Sequence, residues 1–205
     1  MNSQKDRDDM ENNNTMKIVF ATGNPHKLAE INAISRDSGI EFVLPPADFN
    51  PEENGVTFEE NSYIKAKEAA RLSKIFSLAD DSGLCVEALN GEPGIHSARY
   101  ASTPQARIDK LLKNLAPHGN RNAKFVCAMT LVDEFGNILD KEIGECYGKI
   151  TNIPSGINGF GYDPVFLVDG YNVTMADMSE ELKNTISHRS IALNKILNYI
   201  KNTFM

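Results

Sequence analysis

Two adjacent carboxylates at the end of an apolar run, Asp80-Asp81 followed by Ser82-Gly83, are the residues of this chain best placed to do chemistry. Side by side they repel, which costs stability unless a metal ion or positive side chains lie close. Neighbouring strand residues point to opposite faces, so one aspartate can face a metal while the other meets a structural partner. That pattern suits a Mg2+ site with a water-activating carboxylate. A solvated turn with an Asx cap is the plainer reading. Glu52 and Glu53, in a polar loop upstream, join a hard oxygen set suited to Mg2+ if the fold carries them to the aspartates, and are surface charge otherwise.

A second group of residues is suited to anions and bases. The short apolar run Ile18-Val19-Phe20-Ala21 leads into Thr22-Gly23-Asn24-Pro25, with Lys27 close behind. A strand feeding a glycine turn and a helix start presents backbone N–H groups, a geometry able to hold phosphate oxygens. Many α/β proteins open this way for structural reasons alone. Lys65 reads as a solvated helix residue unless its helix borders the phosphates. Lys183, Ser187, His188 and Arg189 cluster before the last helix, where positive charge opposes the macrodipole. An anionic or carbonyl-bearing ligand would account for them. In Gly159-Phe160-Gly161-Tyr162-Asp163-Pro164 the glycines permit close approach and the aromatics offer stacking faces, unless they simply pack a tight turn. His26, His96 and His118 are isolated in loops, and Cys85 and Cys127 read as core.

The elements that must position these side chains follow from periodicity and punctuation. Leu28, Ile31 and Ile34 share a helical face, with Gly39 placed as the terminating glycine. Residues 41–44 read as a strand closed by Pro45-Pro46. Thr57 and Glu60 have capping-box spacing and open a helix with its body over residues 62–73. Residues 75–79 form a short strand ending at the aspartates, and residues 89–102 read as a loop. Thr103-Pro104 starts a helix through about Leu115. Residues 125–132 are apolar on both faces, as in a central strand, and Phe135-Gly136-Asn137 turns them into a partner reaching Tyr147. A loop over residues 154–164, a strand over residues 165–168 and a helix from about His188, striped with Ile191, Ile196, Leu197 and Ile200, complete the chain. Strands and helices mix without strict alternation, so the class is α/β with a mixed sheet.

With 205 residues, 41% hydrophobic and 24% charged, the chain has material for one sizeable core, in one or two lobes. A net charge of −7 argues against a nucleic-acid polymer or an anionic membrane as partner, but not against a nucleotide in a local basic pocket. Cys85, Cys127 and Cys146 form no CxxC pair, which points to a reducing, cytoplasmic setting rather than a disulfide framework. No apolar run is long enough for a transmembrane helix. Residues 1–15 are polar and lack the apolar stretch of a secretory signal. They read as a flexible extension, with a single domain over residues 16–205.

Taken in order, six segments resemble the inosine triphosphate pyrophosphatase, or Ham1-like, family: Thr22-Gly23-Asn24-Pro25-His26-Lys27; Thr57-Phe58-x-Glu60-Asn61 with Lys65-Ala66; Ala79-Asp80-Asp81-Ser82-Gly83-Leu84; Pro93-Gly94-Ile95-His96-Ser97-Ala98-Arg99-Tyr100; Gly159-Phe160-Gly161-Tyr162-Asp163-Pro164; and Lys183 with Ser187-His188-Arg189. The resemblance spans about residues 16–202. It implies an elongated, twisted mixed sheet flanked by helices, in two lobes with the active-site cleft between them. It also implies Mg2+-dependent cleavage of ITP, dITP and XTP between the α and β phosphates, giving monophosphate and pyrophosphate.

On that resemblance Thr22, Gly23, Asn24, Pro25, His26 and Lys27 cradle the triphosphate, with His26 where a glycine is usual. Asp81 is the metal-binding catalytic carboxylate, and Glu52 the second metal ligand, with Glu53 a close competitor and Asp80 a further candidate. Ser82, Lys65 and Lys183 line the phosphates and sugar. Phe160, Gly161, Tyr162, Asp163, His188 and Arg189 read the base. Donors there suit the 6-oxo group of hypoxanthine or xanthine, whereas adenine would set donor against donor. A homodimer is implied too, and the residue 89–100 segment, with no evident core role, could form its two-fold surface. A Maf-like pyrophosphatase for other modified nucleotides and a non-catalytic nucleotide-binding regulator are the competing readings.

Overall fold

The structure, a computed structural model, describes residues 15–205, so the extension expected over residues 1–15 lies, apart from Thr15, outside the described residues. Six strands, β1 (Met16–Phe20), β2 (Ile40–Val43), β3 (Ser77–Val86), β4 (Asn122–Val132), β5 (Ile138–Ile150) and β6 (Phe166–Val168), form one curled sheet in the order β2-β1-β3-β4-β5-β6. β1 pairs in parallel with β2 and β3, and the pairings from β3 to β6 are antiparallel. The expected mixed α/β sheet flanked by helices is therefore the fold.

Two lobes arise because the long central strands serve different cores at their two ends. In β1, Ile18 and Phe20 face α1 (Pro25–Ile34) and α5 (His188–Phe204), packing with Ile31, Leu193, Ile196 and Ile200. The alternate residues Val19 and Ala21 face the small residues Ala66, Ala69 and Ala70 of α2 (Phe58–Ser73). At the far end of β3, Leu84 and Val86 join Phe125, Phe166 and the Ile108, Leu111 and Leu115 stripe of α3 (Pro104–Leu115). Each such fully buried Leu, Ile or Phe contributes about 1.5–3 kcal/mol.

β3 corrects the sequence reading most. It does not end near residue 79 but runs on to Val86, paired residue by residue with β4 from Ser77↔Val132 to Val86↔Ala123. The partner strand satisfies the backbone across Asp80-Asp81-Ser82-Gly83, so polar side chains do not end the strand there. Asp80 is 1% and Asp81 8% exposed, which disposes of the solvated turn. Gly39 does not terminate α1. The helix stops at Ile34 with Ser35 as cap, and Gly39, at φ +76, turns the chain into β2. Residues 89–102 are not plain loop. They contain a 3-10 segment, Gly94–Arg99, and Leu89 and Tyr100 pack into the α3 core, which removes the argument for a free two-fold surface there.

Two further features set the site. A short helix, α4 (Glu180–Ile186), precedes α5, and Ser187 ends the one while its side chain accepts from Ser190 N to cap the other. A side chain at Gly144 of β5 would collide with the His188 carbonyl. Glycine there lets the first turn of α5 rest on the sheet and deliver His188 and Arg189.

Candidate active site

β1 stops where β3 continues. The last β1–β3 pair is Phe20↔Leu78, and beyond it β3 carries Asp80, Asp81, Ser82 and Gly83 past the end of its neighbour. A cleft of about 510 Å³ opens there. Its walls come from Thr22 and Lys27 on one lobe and from Leu84, Phe125 and Tyr162 on the other.

The turn after β1 is shaped by its own side chains. Thr22 Oγ1 accepts from Asn24 N at 3.0 Å, and Asn24 Oδ1 accepts from His26 N at 3.0 Å, capping α1. Pro25 fills the first helical position, where an N–H would have no helical partner. Two amides expected to be open to phosphate are thus already engaged, which leaves the Lys27 ammonium as the positive charge that this turn brings to the cleft. Its Nζ lies 3.0 Å from Asp80 Oδ1.

Alternation along β3 divides the two aspartates. Asp80 faces α1 and α5. It accepts from Lys27, from Ser82 Oγ at 2.7 Å, and from Arg189 Nε and Nη2 at 3.2 and 3.0 Å. Burial alone would raise its pKa, but Lys27, Arg189 and Lys65 outweigh burial and hold it far below the usual carboxylate range. Asp81 faces α2, where Asn61 Nδ2 is 3.3 Å from Oδ2 and Lys65 Nζ is 3.3 Å from Oδ1. Burial prevails here and raises its pKa despite Lys65 and Lys27. A carboxylate whose affinity for protons is raised is suited to accept one. Lys65 also meets Glu53 Oε2 at 3.2 Å. Burial would lower its pKa, but Asp81, Asp80 and Glu53 raise it, so the ammonium stays charged.

At the other end of the cleft, Lys183 Nζ binds Glu30 Oε1 at 2.7 Å and Asp163 Oδ2 at 2.8 Å, and Arg189 pairs with Glu30 as well as Asp80. The cations that seemed to oppose the macrodipole of α5 are thus neutralised by carboxylates distant in sequence. Asp163 also accepts from Phe160 N at 2.9 Å, holding the glycine-rich turn. Tyr162 OH donates to the Ser97 carbonyl, so this ring fastens the turn to the second lobe. Phe160 stacks on His26 at 5.6 Å and lies 4.8 Å from Lys183 Nζ.

His188 is buried and stacked on Phe125 at 4.8 Å, and its Nδ1 has no hydrogen-bonding partner among the described residues. Burial, with help from Arg189 and Lys183, pushes its pKa well below the usual histidine value. Unfolded, the imidazole takes up a proton near pH 6.5 while the native one does not. The contribution of His188 to stability therefore falls as pH drops below about 6.5, by at most about 1.4 kcal/mol per unit, until the native imidazole is also protonated. Urea unfolding at pH 7, 6 and 5 should show a slope shallower by up to one proton in His188→Phe, and equal slopes would acquit His188.

Of the expected site residues, Thr22, Gly23, Asn24, Lys27, Lys65, Asp81, Ser82, Phe160, Gly161, Tyr162, Asp163, Lys183, His188 and Arg189 line this cleft, and so does Glu53. Asp80 lies behind its wall, Pro25 is the first residue of α1 after its cap Asn24, and His26 is exposed above Phe160. Glu52 lines a separate concavity with Tyr63, Lys67 and Arg71. Among the described residues no three His, Cys, Asp or Glu side chains converge as a metal cage. Sequence reasoning did not find Glu30, which looks like any exposed helix acid until the fold brings α4 and α5 beside it. It also passed over Arg107 and Phe49, which line the cleft. Phe49, an aromatic stranded in a polar loop, was the available signal.

The sequence model of the Ham1 family matches residues 18–199. A dITP/XTP pyrophosphatase of Synechocystis is 42% identical over 180 residues, covering 88% of this chain and 93% of the relative. One from Treponema denticola is 45% identical, covering 91% and 99%. Among solved structures, a HAM1 protein from Coxiella burnetii superposes with a TM-score of 0.84 at 39% identity, covering 92% of this chain and all of the other. The Staphylococcus aureus Ham1 protein gives 0.81 at 40% identity, covering 91% and 98%.

Proposed function

Because the chain belongs to the Ham1 family, we propose that it hydrolyses deaminated purine nucleoside triphosphates, ITP, dITP and XTP, to the monophosphate and pyrophosphate. The observation that carries this reading is one cleft lined by Asp81, by Lys27 and Lys65 at one end, and by Lys183, His188 and Arg189 at the other. The first two lysines compensate phosphate charge. Asp81 accepts the proton of the attacking water. Arg189 and Lys183, held by Glu30, offer donors to the 6-oxo group of the base.

The donor set fits a divalent cation. The phosphate end holds two ammonium groups, Lys27 and Lys65, already paired with three carboxylates, Asp80, Asp81 and Glu53. An incoming triphosphate therefore needs further positive charge. Asp81 with Glu53 would hold Mg2+ together with phosphate oxygens and waters, the sparse protein coordination this ion tolerates. The position of Glu53 beside Lys65 favours it over Glu52 as the second acid. Mg2+ would supply charge neutralisation and polarisation of the phosphates.

Residues 16–205 act as one catalytic domain on this reading. The free thiols Cys85, Cys127 and Cys146 support a reducing cytoplasm. The net charge of −7 speaks against nucleic-acid polymers, and among the described residues no helix is long and apolar enough to cross a membrane. A homodimer rests on the family resemblance alone. The test is a panel of ITP, dITP, XTP, GTP, ATP, dUTP and UTP with Mg2+. Release of pyrophosphate from the first three, with the others poor substrates, is expected. Orthophosphate as first product would refute the cleavage point, and preference for pyrimidines the substrate class.

A further inference from the structure

Asn61 is buried at 1% exposure in α2, four residues before Lys65 and so on the same helical face. Both side chains reach the same two elements. Lys65 touches Glu53 and Asp81 Oδ1, whereas Asn61 Oδ1 accepts from Gly55 N at 2.9 Å and Asn61 Nδ2 donates to Asp81 Oδ2 at 3.3 Å. The orientation of the amide is fixed at both ends. Reversing it would set a donor against the Gly55 N–H and an acceptor against a carboxylate. A side chain at Gly55 would meet Asn61 Oδ1 at 2.7 Å, so glycine is what permits the loop to approach this closely. The helix behind is itself anchored, because Ser62 and Thr130 share a buried 2.7 Å hydrogen bond that ties α2 to β4.

We propose that Asn61 is a positioning residue for the hydrolysis, fixing the Asp81 carboxylate in one orientation and fastening the Glu53 loop to the same helix. The proposal rests on the role assigned to Asp81. With Lys65 on one carboxylate oxygen and Asn61 on the other, rotation about the Cβ–Cγ bond of Asp81 is blocked, and each oxygen keeps a lone pair for water or metal. The single amide also sets the distance between the two acids, since it binds one directly and the backbone two residues from the other.

Three variants separate the possibilities. Asn61→Asp keeps the acceptor for Gly55 N–H but turns an oxygen toward Asp81, Asn61→Ala removes both bonds, and Asp81→Asn reports on the underlying reading. Asn61→Asp should fold, keep the Gly55 amide protected in hydrogen exchange, and lower kcat about 10- to 100-fold, with KM within about 3-fold. Asn61→Ala should in addition expose the Gly55 amide to exchange. If Asn61→Asp retains kcat within about 3-fold while Asp81→Asn is inactive, the positioning role falls and the Asp81 reading stands. If Asp81→Asn also turns over, both fall together. An Asn61→Asp variant that cannot fold would assign Asn61 to stability alone and overturn the proposal.

Discussion

Asp81→Asn is expected to fold and to lose its pyrophosphate-releasing activity by a factor of about 10²–10⁴, the usual cost of deleting a general base, with weakened metal binding added to it. At about 1.4 kcal/mol per tenfold, that is roughly 3–5 kcal/mol of barrier. The amide matches the carboxylate in shape, so the loss is one of chemistry. Stability should move the other way. Burial raises the pKa of Asp81 in the folded protein, so at neutral pH the ionised group favours the unfolded chain. Removing the charge therefore holds or raises the melting temperature. Lys65 keeps Glu53 as a partner, so no buried cation is stranded. More than about a tenth of wild-type turnover, roughly 1.4 kcal/mol of barrier, would take the catalytic role from Asp81. An inactive variant that also melts early would show that Asp81 holds the fold together, contrary to the burial argument.

Such an inversion marks the residue where stability is given up for function, and the sequence announced it in part. Asp80-Asp81 stood out because adjacent carboxylates after an apolar run need an explanation. Their division between two faces followed from the alternation of a strand. The length of that strand did not, because polar residues mimic a terminus, and only pairing with β4 keeps the backbone extended through them. Caps were legible for a similar local reason. Thr103-Pro104 opens α3, and Thr57 accepts from Glu60 N at 3.1 Å. Glu60 departs from the expected box, turning its carboxylate to Val56 N instead of to the cap residue itself.

What stayed hidden was long-range compensation of charge. Glu30 and Arg189 lie 159 positions apart, and Lys27 and Asp80 53 apart. No local pattern pairs them. Lys183 and Arg189 therefore looked like unpaired charge awaiting a ligand, when Glu30, Asp163 and Asp80 already neutralise them. That Glu53 rather than Glu52 turns toward Lys65 was hidden for the same reason, since loop spacing does not decide it.

Asp80→Asn should produce the opposite phenotype from its neighbour. Asp80 is completely buried, and its two oxygens take hydrogen bonds from Lys27, Ser82 and Arg189. Neutralising it leaves two cations without their shared counter-charge, and breaking a buried pair from one side costs about 3–5 kcal/mol. At about 2–4 °C per kcal/mol for a chain of this size, the melting temperature should fall by roughly 6–20 °C. The sign of the pH dependence follows. The native pKa of Asp80 is depressed, so its stabilisation is present above the unfolded carboxylate value near 4 and is lost as pH falls below it. The variant should therefore lose less stability than wild type between about pH 4 and pH 2. Activity at a temperature where the variant is folded should suffer chiefly in KM, because Lys27 and Arg189 lose the group that aims them into the cleft. Adjacent residues on one strand would then fail in different ways, Asp81 in turnover and Asp80 in stability, because alternation gives one to the cleft and the other to Lys27 and Arg189, which it holds in the cleft wall. A variant melting within about 2 °C of wild type, under 1 kcal/mol, would mean that Glu30 alone holds Arg189, and the division of labour between the two aspartates would have to be redrawn.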